Sequence, residues 1–469
     1  MPDLALILLA DLSYLAIVIG LALGFRLQIA IIAACIGGQL LLPREAIWNS
    51  SEVSWYLGKS SFIAVAILLA LGIHYQEIRR FRFSWFDLAP FLFSLSPLLS
   101  VIANQGENWN NGVAISVDRI LTWGIPYFAG RICFQTKIDQ ESLRQWLLYG
   151  TVAMAPLFAW EAFLGKDYYL SYLLYGIPPN SEMTWRLGGW RPELFFRNGI
   201  ECGTWLAGMC IVAISALWDE KLNSRRKYAK IGFCVVLLLM LLFSRTVYAY
   251  AVLIGTLPIF LLSLWLRRPY VLCVLVIGVS TYCATRSTGL WDGQGVVRVV
   301  ENVNSQKTGS VAYRFRAEDA YAKKVREHGP IWGFGGTNSA IYYWWAKNHL
   351  WPDGWWVHVF RSGGYVGLIF WIGLFGVVPV VAAMRGFNLP LSSLMTPSTA
   401  LLSFSCFAIL NLVDGLHNMA IFGTTGMLLG AIVSNPPQSK LYVSICDSFR
   451  GPLLKWGAAS ANRQRQGTS

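Results

Sequence analysis

Long apolar stretches follow one another along most of the chain, and they constrain the fold more than any other feature of the sequence. A helix that crosses a bilayer needs about 20 mainly apolar residues. Stretches of this kind lie at 4–24, 27–43, 60–76, 86–103, 117–134, 145–165, 199–218, 229–244, 246–266, 270–286, 355–384, 397–413 and 416–434. Several are short or adjoin one another, so the pattern predicts an all-α polytopic membrane protein with about 12–13 transmembrane helices.

The composition agrees with a membrane protein and excludes several other classes. Of the 469 residues, 55% are hydrophobic and 13% are charged, whereas soluble domains are about 25% charged. Such a chain is neither disordered nor typical of a soluble enzyme, and we expect membrane lipids rather than nucleic acid as its surroundings. The cysteines lie almost all within the apolar stretches and form no Cys-x-x-Cys motif, so they indicate neither a disulfide framework nor a metal site.

The positions of the basic residues predict the orientation of the chain. Many of them occur at 79–82, 221–230, 267–268, 385 and in the C-terminal tail, on alternate sides of successive apolar stretches, and the connection 104–116 has no Lys or Arg. Basic connections normally face the cytoplasm. We therefore expect ten transmembrane helices in 1–286, an extracytoplasmic loop at 287–354, further transmembrane helices in 355–434 and a cytoplasmic tail at 435–469.

The loop 287–354 is the longest connection, and we expect it to carry short helices of its own. Residues 314–328 have the spacing of an amphipathic helix, with Ala317, Tyr321, Val325 and His328 on one face. The sequence His328-Gly329-Pro330 predicts its end, and a glycine-rich turn follows. A helix of this type can lie on a membrane surface.

Arginines on the extracytoplasmic side are the second unusual feature. The tendency of basic residues to lie on the cytoplasmic side does not explain them. A guanidinium group is suited to bidentate binding of phosphate oxygens. They can alternatively reach lipid headgroups or pair with nearby Glu and Asp residues. The candidates for a lipid-linked diphosphate are Arg191, Arg245, Arg314, Arg316 and Arg197.

These arginines lie in segments that resemble the O-antigen ligase and O-antigen polymerase family. The resemblance rests on Ser244-Arg245 between two apolar stretches, Gly189-Trp190-Arg191-Pro192 before a new stretch, and the segment 126–131 (Pro-Tyr-Phe-Ala-Gly-Arg). It also includes Arg314 followed by the segment 330–335 (Pro-Ile-Trp-Gly-Phe-Gly) and then 364–367 (Gly-Tyr-Val-Gly). Together these motifs cover about 120–430 in the family's order.

The resemblance implies metal-independent glycosyl transfer at the outer face of the bacterial inner membrane. The donor would be a glycan on undecaprenyl diphosphate, the acceptor a glycan or lipid hydroxyl, and no cofactor would take part. Fixed guanidinium groups would stabilise the charge that develops on the leaving diphosphate. Polymerase and ligase both fit this description.

The general base departs from the family pattern. The ligase branch carries His-Asn about eleven residues before the Gly-x-x-Gly motif, where this chain has Asp353-Gly354. Asp353 is therefore the first candidate base and His358 the second, with His349 as another candidate. Asp353 can alternatively be a turn residue or the N-cap of the next helix. A flippase or transporter of lipid-linked sugars, or a non-catalytic assembly subunit, remains an alternative.

Overall fold

The computed structural model describes residues 3–43, 48–49, 56–79, 81–104, 109–179, 184–219, 225–303, 305–335, 353–387, 399–418 and 422–434. Within these ranges the only strands form two short antiparallel pairs, β1 (Trp48–Asn49) with β2 (Tyr56–Leu57) and β3 (Trp185–Arg186) with β4 (Gly189–Trp190). The remainder is predominantly helical, which confirms the all-α class. The predicted tail 435–469 and the aromatic part of the loop, with His349, lie outside the described residues.

Eleven α-helices precede the β3–β4 hairpin in the described part of the chain. They are α1 (Leu4–Gly24), α2 (Leu27–Ile32), α3 (Gly38–Leu41), α4 (Lys59–Ile73), α5 (Tyr75–Ile78), α6 (Leu88–Ala103), α7 (Trp109–Arg119), α8 (Ile125–Cys133), α9 (Lys137–Ala153), α10 (Ala155–Leu164) and α11 (Leu170–Tyr175).

A further ten α-helices follow the hairpin within the described ranges. They are α12 (Gly199–Trp218), α13 (Arg225–Phe243), α14 (Val247–Leu266), α15 (Cys273–Thr288), α16 (Gln294–Val303), α17 (Ser305–His328), α18 (Trp355–Ile372), α19 (Val378–Phe387), α20 (Thr399–Asp414) and α21 (Gly423–Val433). Three five-residue π-helical turns, Ala33–Gly37, Ile120–Gly124 and Gly373–Val377, join α2 to α3, α7 to α8 and α18 to α19.

Helices occupy each of the thirteen stretches that the sequence predicts. By length and composition, seven of the described helical segments can cross a membrane, at Leu4–Gly24, Trp85–Ala103, Lys137–Leu164, Gly199–Trp218, Val247–Leu266, Pro269–Thr288 and Trp355–Met384. Shorter apolar helices lie at Leu27–Leu41, Lys59–Ile73, Thr399–Asp414 and Gly423–Val433. Several helices expose large apolar side chains, for example Leu23 and Ile254, as surfaces in contact with lipid do. The exact number of crossings stays a prediction.

Helix α12 is the centre of the bundle, and small residues let its neighbours approach it. Most of its side chains are buried, and it packs against α13, α14 and α20. A Cβ atom at Gly203 would lie 2.9 Å from Thr246 Cβ, and one at Gly208 would lie 2.3 Å from the ring of Phe407. These glycines are therefore required for the close contact of α12 with α14 and α20.

Helices α8 and α21 cross at a second glycine contact. A Cβ atom at Gly130 would lie 2.1 Å from the carbonyl oxygen of Met427, and one at Gly430 would lie 2.0 Å from that of Tyr127. Gly426 and Gly430 thus form a Gly-x-x-x-Gly face, which allows two helix backbones to approach closely in a membrane. Nearby, Arg131 Nε donates to Asp87 Oδ1 over 2.9 Å in a buried ion pair.

Helix α18 is broken at Gly364, and part of the long loop occupies the break. Gly364 has φ +58°, and the backbone N–H groups of Tyr365 and Val366 donate to the carbonyl groups of Pro330 and Ile331 over 2.9 and 3.2 Å. A Cβ atom at Gly333 would lie 2.4 Å from the carbonyl oxygen of Arg361. The Pro-x-x-Gly-x-Gly and Gly-x-x-Gly segments of the sequence therefore contact each other directly.

Helix α17 begins earlier than the sequence predicts but has the predicted buried face. Ala317, Tyr321 and Val325 are buried, whereas Arg316 is exposed. The helix packs against α15, α16 and α18. Its apolar face therefore lies against protein rather than on a membrane surface, and this docking fixes the loop at one end of the bundle.

Candidate functional site

Arg191 follows a β-hairpin whose turn has an unusual backbone. Leu187 and Gly188 both have positive φ, +48° and +75°, as the two central residues of a type I′ turn do. Arg191 is 2% exposed, and its Nε donates to Thr246 Oγ1 over 3.2 Å. Burial lowers the pKa of Arg191 to about 10, so its guanidinium group is still charged at neutral pH.

Arg245 lies in the three-residue turn between α13 and α14, as the sequence predicts. It has φ +51°, and its Nη1 donates to the carbonyl oxygen of Trp190. Gly189 makes this contact possible, because a Cβ atom there would lie 2.1 Å from Arg245 Cζ. The α13–α14 turn and the hairpin are thus joined twice, once by Arg191 with Thr246 and once by Arg245 with Trp190.

A buried carboxylate supports the segment that carries Arg191. Glu161, near the end of α10, is 0% exposed. Its Oε2 accepts from the backbone N–H groups of Glu193 and Leu194 over 2.9 and 2.8 Å. Tyr169 donates its hydroxyl to the carbonyl oxygen of Arg191. The position of Arg191 is thus set by side chains of the preceding helix and loop.

Arg314 and Asp353 form an ion pair, which brings together a predicted diphosphate ligand and the predicted base. Arg314 Nε lies 2.9 Å from Asp353 Oδ2, and the Asp353 side chain is 47% exposed. The N-cap of α18 is Gly354, and no side chain caps that helix terminus. The structure therefore excludes the N-cap interpretation of Asp353, and its carboxylate is accessible beside a guanidinium group.

Glu318 is the centre of a second charged cluster, which the sequence did not predict as a functional site. It accepts from Tyr282 Oη over 2.7 Å and lies 3.3 Å from Arg286 Nη2. Arg286 also contacts Asp319 over 2.7 Å. Burial raises the pKa of Glu318 to about 7, an effect that the Tyr282 hydrogen bond and the Arg286 charge partly oppose.

His417 lies next to this cluster, in the short turn after α20. Its Nδ1 is 3.8 Å from Glu318 Oε1, and its ring centroid lies 5.6 Å from that of Tyr282 and 6.4 Å from that of Phe315. Burial, followed by the charges of Arg314 and Arg286, lowers the pKa of His417 to about 4. The imidazole is therefore neutral at physiological pH, and the low pKa makes it a weaker base than an exposed histidine.

Both groups of residues lie around the first turn of α14. Tyr248 is three residues beyond Arg245, and its ring centroid is 6.3 Å from that of His417. The His417 turn is also bonded to the start of α18, because the N–H groups of Trp355 and Trp356 donate to the carbonyl groups of Asn418 and Gly415, each over 3.0 Å. One end of the bundle thus carries the arginines, Asp353 and His417.

The remaining predicted site residues lie at other positions. Arg197 is exposed, and its backbone N–H donates to Glu201 Oε2 over 2.7 Å. Arg316 is exposed on α17, with its Nε 3.4 Å from the carbonyl oxygen of Ala312. His358 lies one turn into α18 and stacks on Trp355 with a centroid distance of 6.0 Å. These residues are less closely associated with the hairpin than Arg191 and Arg245 are.

The sequence did not indicate that Arg286, Tyr282 and His417 lie together around Glu318. Arg286 is the last residue of a predicted apolar stretch, and the turn around His417 suggests only a structural residue. An arginine within an apolar stretch is itself a signal, because a buried charge needs a partner. Among the described residues, no group of three or more His, Cys, Asp or Glu side chains could hold a metal ion.

The comparisons with known proteins give no match: no family model, no curated protein and no solved structure is similar to this chain. The resemblance to the O-antigen ligase and polymerase family therefore stays a prediction from the motifs.

Proposed function

We propose that the chain is a glycosyltransferase that uses a lipid-linked diphosphate donor without a metal ion. Arg191 and Arg245 would bind the diphosphate of an undecaprenyl-diphosphate-linked glycan, and the acceptor would be a sugar hydroxyl on a glycan or lipid. The protein would cross the bacterial inner membrane with about 12–13 helices, with the loop 287–354 in the periplasm and the C-terminus in the cytoplasm.

The observation that carries this proposal is that two arginines from different segments, Arg191 after the hairpin and Arg245 in the α13–α14 turn, meet at the same hairpin. Arg191 is buried and contacts the hydroxyl of Thr246, while Arg245 contacts the carbonyl oxygen of Trp190. A hydroxyl and a carbonyl oxygen are neutral acceptors, so these two contacts orient the guanidinium groups and add no negative charge, while the nearby Glu193 carboxylate offsets part of the charge of Arg191. Charge-assisted, bidentate contacts of guanidinium groups with phosphate are short and strong.

The reaction would proceed by attack of the acceptor hydroxyl on the anomeric carbon of the donor sugar. A new C–O bond forms while the bond from that carbon to the diphosphate oxygen breaks, and the electron pair leaves with undecaprenyl diphosphate. The hydroxyl proton passes to Asp353, which Arg314 orients through their 2.9 Å contact. A base in this position typically accelerates such a step about 10²–10⁴-fold.

His417 is a further candidate base, because it lies at the same end of the bundle as Asp353. Its ring is uncharged at neutral pH and lies 3.8 Å from Glu318 Oε1, a distance longer than the hydrogen bond that joins imidazole and carboxylate in a catalytic triad. Asp353→Asn and His417→Gln separate the two possibilities. The variant of the true base should lose about 10²–10⁴-fold in kcat, and near wild-type transfer by Asp353→Asn would remove Asp353 from this role.

A test in cells addresses the diphosphate site. Arg245→Ala should abolish surface polysaccharide while the protein stays in the membrane at wild-type amounts. Arg298→Ala is the matched control, because Arg298 is an exposed arginine on α16 that is not among the candidate diphosphate ligands. Normal polysaccharide in the Arg245→Ala strain would refute the role of this arginine.

A transporter or flippase of the same lipids is the second candidate, and one observation favours it. Helix α18 is broken at Gly364, close to the buried Arg119, whose Nη2 donates to Ser362 Oγ over 2.7 Å. Broken helices with polar groups inside the membrane are typical of transporters. A flippase would leave lipid-linked glycan on the cytoplasmic leaflet when it is deleted, whereas a transferase would leave it on the outer leaflet.

A further inference from the structure

Glu161 makes an unusual set of contacts for a carboxylate in an apolar helix. Its Oε1 accepts from the backbone N–H of Leu170 over 2.9 Å, and its Oε2 accepts from Glu193 and Leu194 over 2.9 and 2.8 Å. In these three hydrogen bonds both oxygens are acceptors, which is the pattern of an ionised carboxylate. Such a group in a membrane helix is costly, and its presence indicates a function.

The three N–H groups belong to two separate segments that meet at Arg191. Leu170 follows Tyr169, whose hydroxyl donates to the carbonyl oxygen of Arg191. Glu193 and Leu194 follow Arg191 on the other side. Glu161 therefore fixes the backbone next to Tyr169, which donates to the Arg191 carbonyl, and also the backbone just after Arg191. Its effect on Arg191 thus passes through the backbone.

The backbone at Leu194 shows that this connection constrains the chain. Leu194 is not a glycine but has φ +51°, a left-handed conformation that a leucine adopts only when its surroundings require it. Its N–H donates to Glu161, and its carbonyl accepts from Ser171 Oγ over 2.5 Å. Side chains of α10 and α11 thus hold both backbone polar groups of this residue.

We propose that Glu161 is a positioning residue that sets the guanidinium group of Arg191 for a diphosphate ligand. This inference rests on the proposed function, since it concerns the ligand of the same arginines. The carboxylate accepts hydrogen bonds from three backbone N–H groups, and these bonds fix the backbone on both sides of Arg191. In this position the Nε of Arg191 donates to Thr246 Oγ1 over 3.2 Å. A diphosphate, which needs both Arg191 and Arg245, depends on this geometry more than a monophosphate does.

Glu161→Gln tests the carboxylate with almost no change in shape. The amide has one acceptor oxygen and one NH₂ group. Either the N–H of Leu170 or the N–H groups of Glu193 and Leu194 must therefore face the NH₂ group, which cannot accept their hydrogen bonds. Tyr169→Phe is the second variant, because it removes only the hydroxyl that contacts the Arg191 carbonyl and carries little risk of misfolding. Glu327→Gln on α17 is the control, since Glu327 forms long ion pairs with Lys323 and Lys324 over 3.8 and 4.0 Å on its own helix.

The measurement is the binding of undecaprenyl diphosphate and undecaprenyl monophosphate to the full-length protein in lipid nanodiscs. Glu161→Gln should bind the diphosphate about 10-fold more weakly, and Tyr169→Phe about 3-fold more weakly, with monophosphate binding changed less than about 2-fold. A purely structural role would lower the folded fraction without changing the ratio of the two affinities.

The outcomes separate this inference from the proposed function. If the wild-type protein prefers the diphosphate and Tyr169→Phe and Glu161→Gln keep that preference, the positioning role of Glu161 is overturned and the diphosphate site stands. If the wild-type protein does not prefer the diphosphate, the proposed function itself is overturned. If Glu161→Gln does not fold, Tyr169→Phe decides the question alone.

Discussion

Gly189→Ala is a substitution that displaces Arg245 without removing its charge. A Cβ atom at residue 189 would lie 2.1 Å from Arg245 Cζ and from Nη1, whereas non-bonded carbon atoms prefer about 3.5–4.0 Å. The guanidinium group must therefore move by about 1.5 Å, which breaks its hydrogen bond with the carbonyl of Trp190. The half-buried side chain moves outward and exchanges its hydrogen bond with Trp190 for one with water, so we expect the free energy of unfolding to change by less than about 1 kcal/mol.

The effect on ligand binding should be much larger than the effect on stability. A hydrogen bond between the guanidinium group of Arg245 and a phosphate oxygen of the ligand would contribute about 1.5–3 kcal/mol, which corresponds to about 10–100-fold in affinity. We therefore expect Gly189→Ala to bind undecaprenyl diphosphate in nanodiscs about 10–100-fold more weakly. Glycosyl transfer should fall by a similar factor.

The neighbouring glycine gives a matched control with the opposite behaviour. Gly188 has φ +75°, and a Cβ atom there would meet nothing within 4 Å. Gly188→Ala should therefore destabilise the protein by about 1–2 kcal/mol through backbone strain, and its affinity for the ligand should stay within about 2-fold of wild type. Equal loss of binding in both variants, or wild-type binding by Gly189→Ala, would show that Arg245 does not depend on Gly189 in this way.

Three further predictions concern acid sensitivity and stability. The pKa of His417 is lowered to about 4 in the folded protein, whereas that of an exposed histidine is about 6.5. As the pH falls from about 6.5 to about 4, the unfolded chain therefore binds a proton at this residue and the folded chain does not, which lowers the stability of the folded protein. The melting temperature of the wild-type protein should therefore fall more steeply over this interval than that of His417→Gln, and parallel curves would contradict the assignment. Asp87→Asn leaves Arg131 buried without its carboxylate and should cost about 3–5 kcal/mol, with partial recovery in the double variant Asp87→Asn/Arg131→Gln measured by thermal unfolding. Gly430→Ala places a Cβ atom 2.0 Å from the α8 backbone, so it should lower the melting temperature more than Gly20→Ala, whose Cβ meets nothing within 4 Å.

The positions of the helices were predictable from the sequence because the signal is local. Apolar stretches of membrane length specify helices regardless of their partners, and the buried face of α17 follows from the spacing of Ala317, Tyr321 and Val325. The start of α17 at Ser305 was not predicted, because the apolar spacing that indicates the helix begins only at Ala317. The break in α18 follows from contacts with residues about thirty positions earlier in the chain.

The ion pairs were not predictable, because they depend on how distant helices pack. The sequence suggests that the extracytoplasmic arginines pair with nearby Glu and Asp residues, but Glu318 and Asp319 contact Arg286, at the end of an apolar stretch. Arg314 contacts Asp353, which the sequence suggests as a base, a turn residue or a helix N-cap but not as an ion-pair partner. Partners separated by tens of residues in sequence come together only through tertiary packing, which hydrophobic periodicity does not encode.

The hairpin that carries Arg191 has a local signal that could have been used. Leu187-Gly188-Gly189 lies between Trp185-Arg186 and Trp190-Arg191, and a glycine pair between such short runs favours a tight turn. The contact of Gly189 with Arg245 was beyond reach, since it joins two segments 56 positions apart. The two arginines and the hairpin were therefore recognisable in the sequence, but the contact that brings the arginines together was not.

The most direct test of the central claim is the analysis of lipid-linked glycan in cells that lack the protein. A transferase that acts on undecaprenyl diphosphate predicts that glycan accumulates on this lipid in the outer leaflet of the inner membrane, and that wild-type protein but not Arg245→Ala removes it. Single repeat units would indicate a polymerase and long chains a ligase. Normal polysaccharide without accumulated lipid-linked glycan, or accumulation on the cytoplasmic leaflet, would contradict the claim.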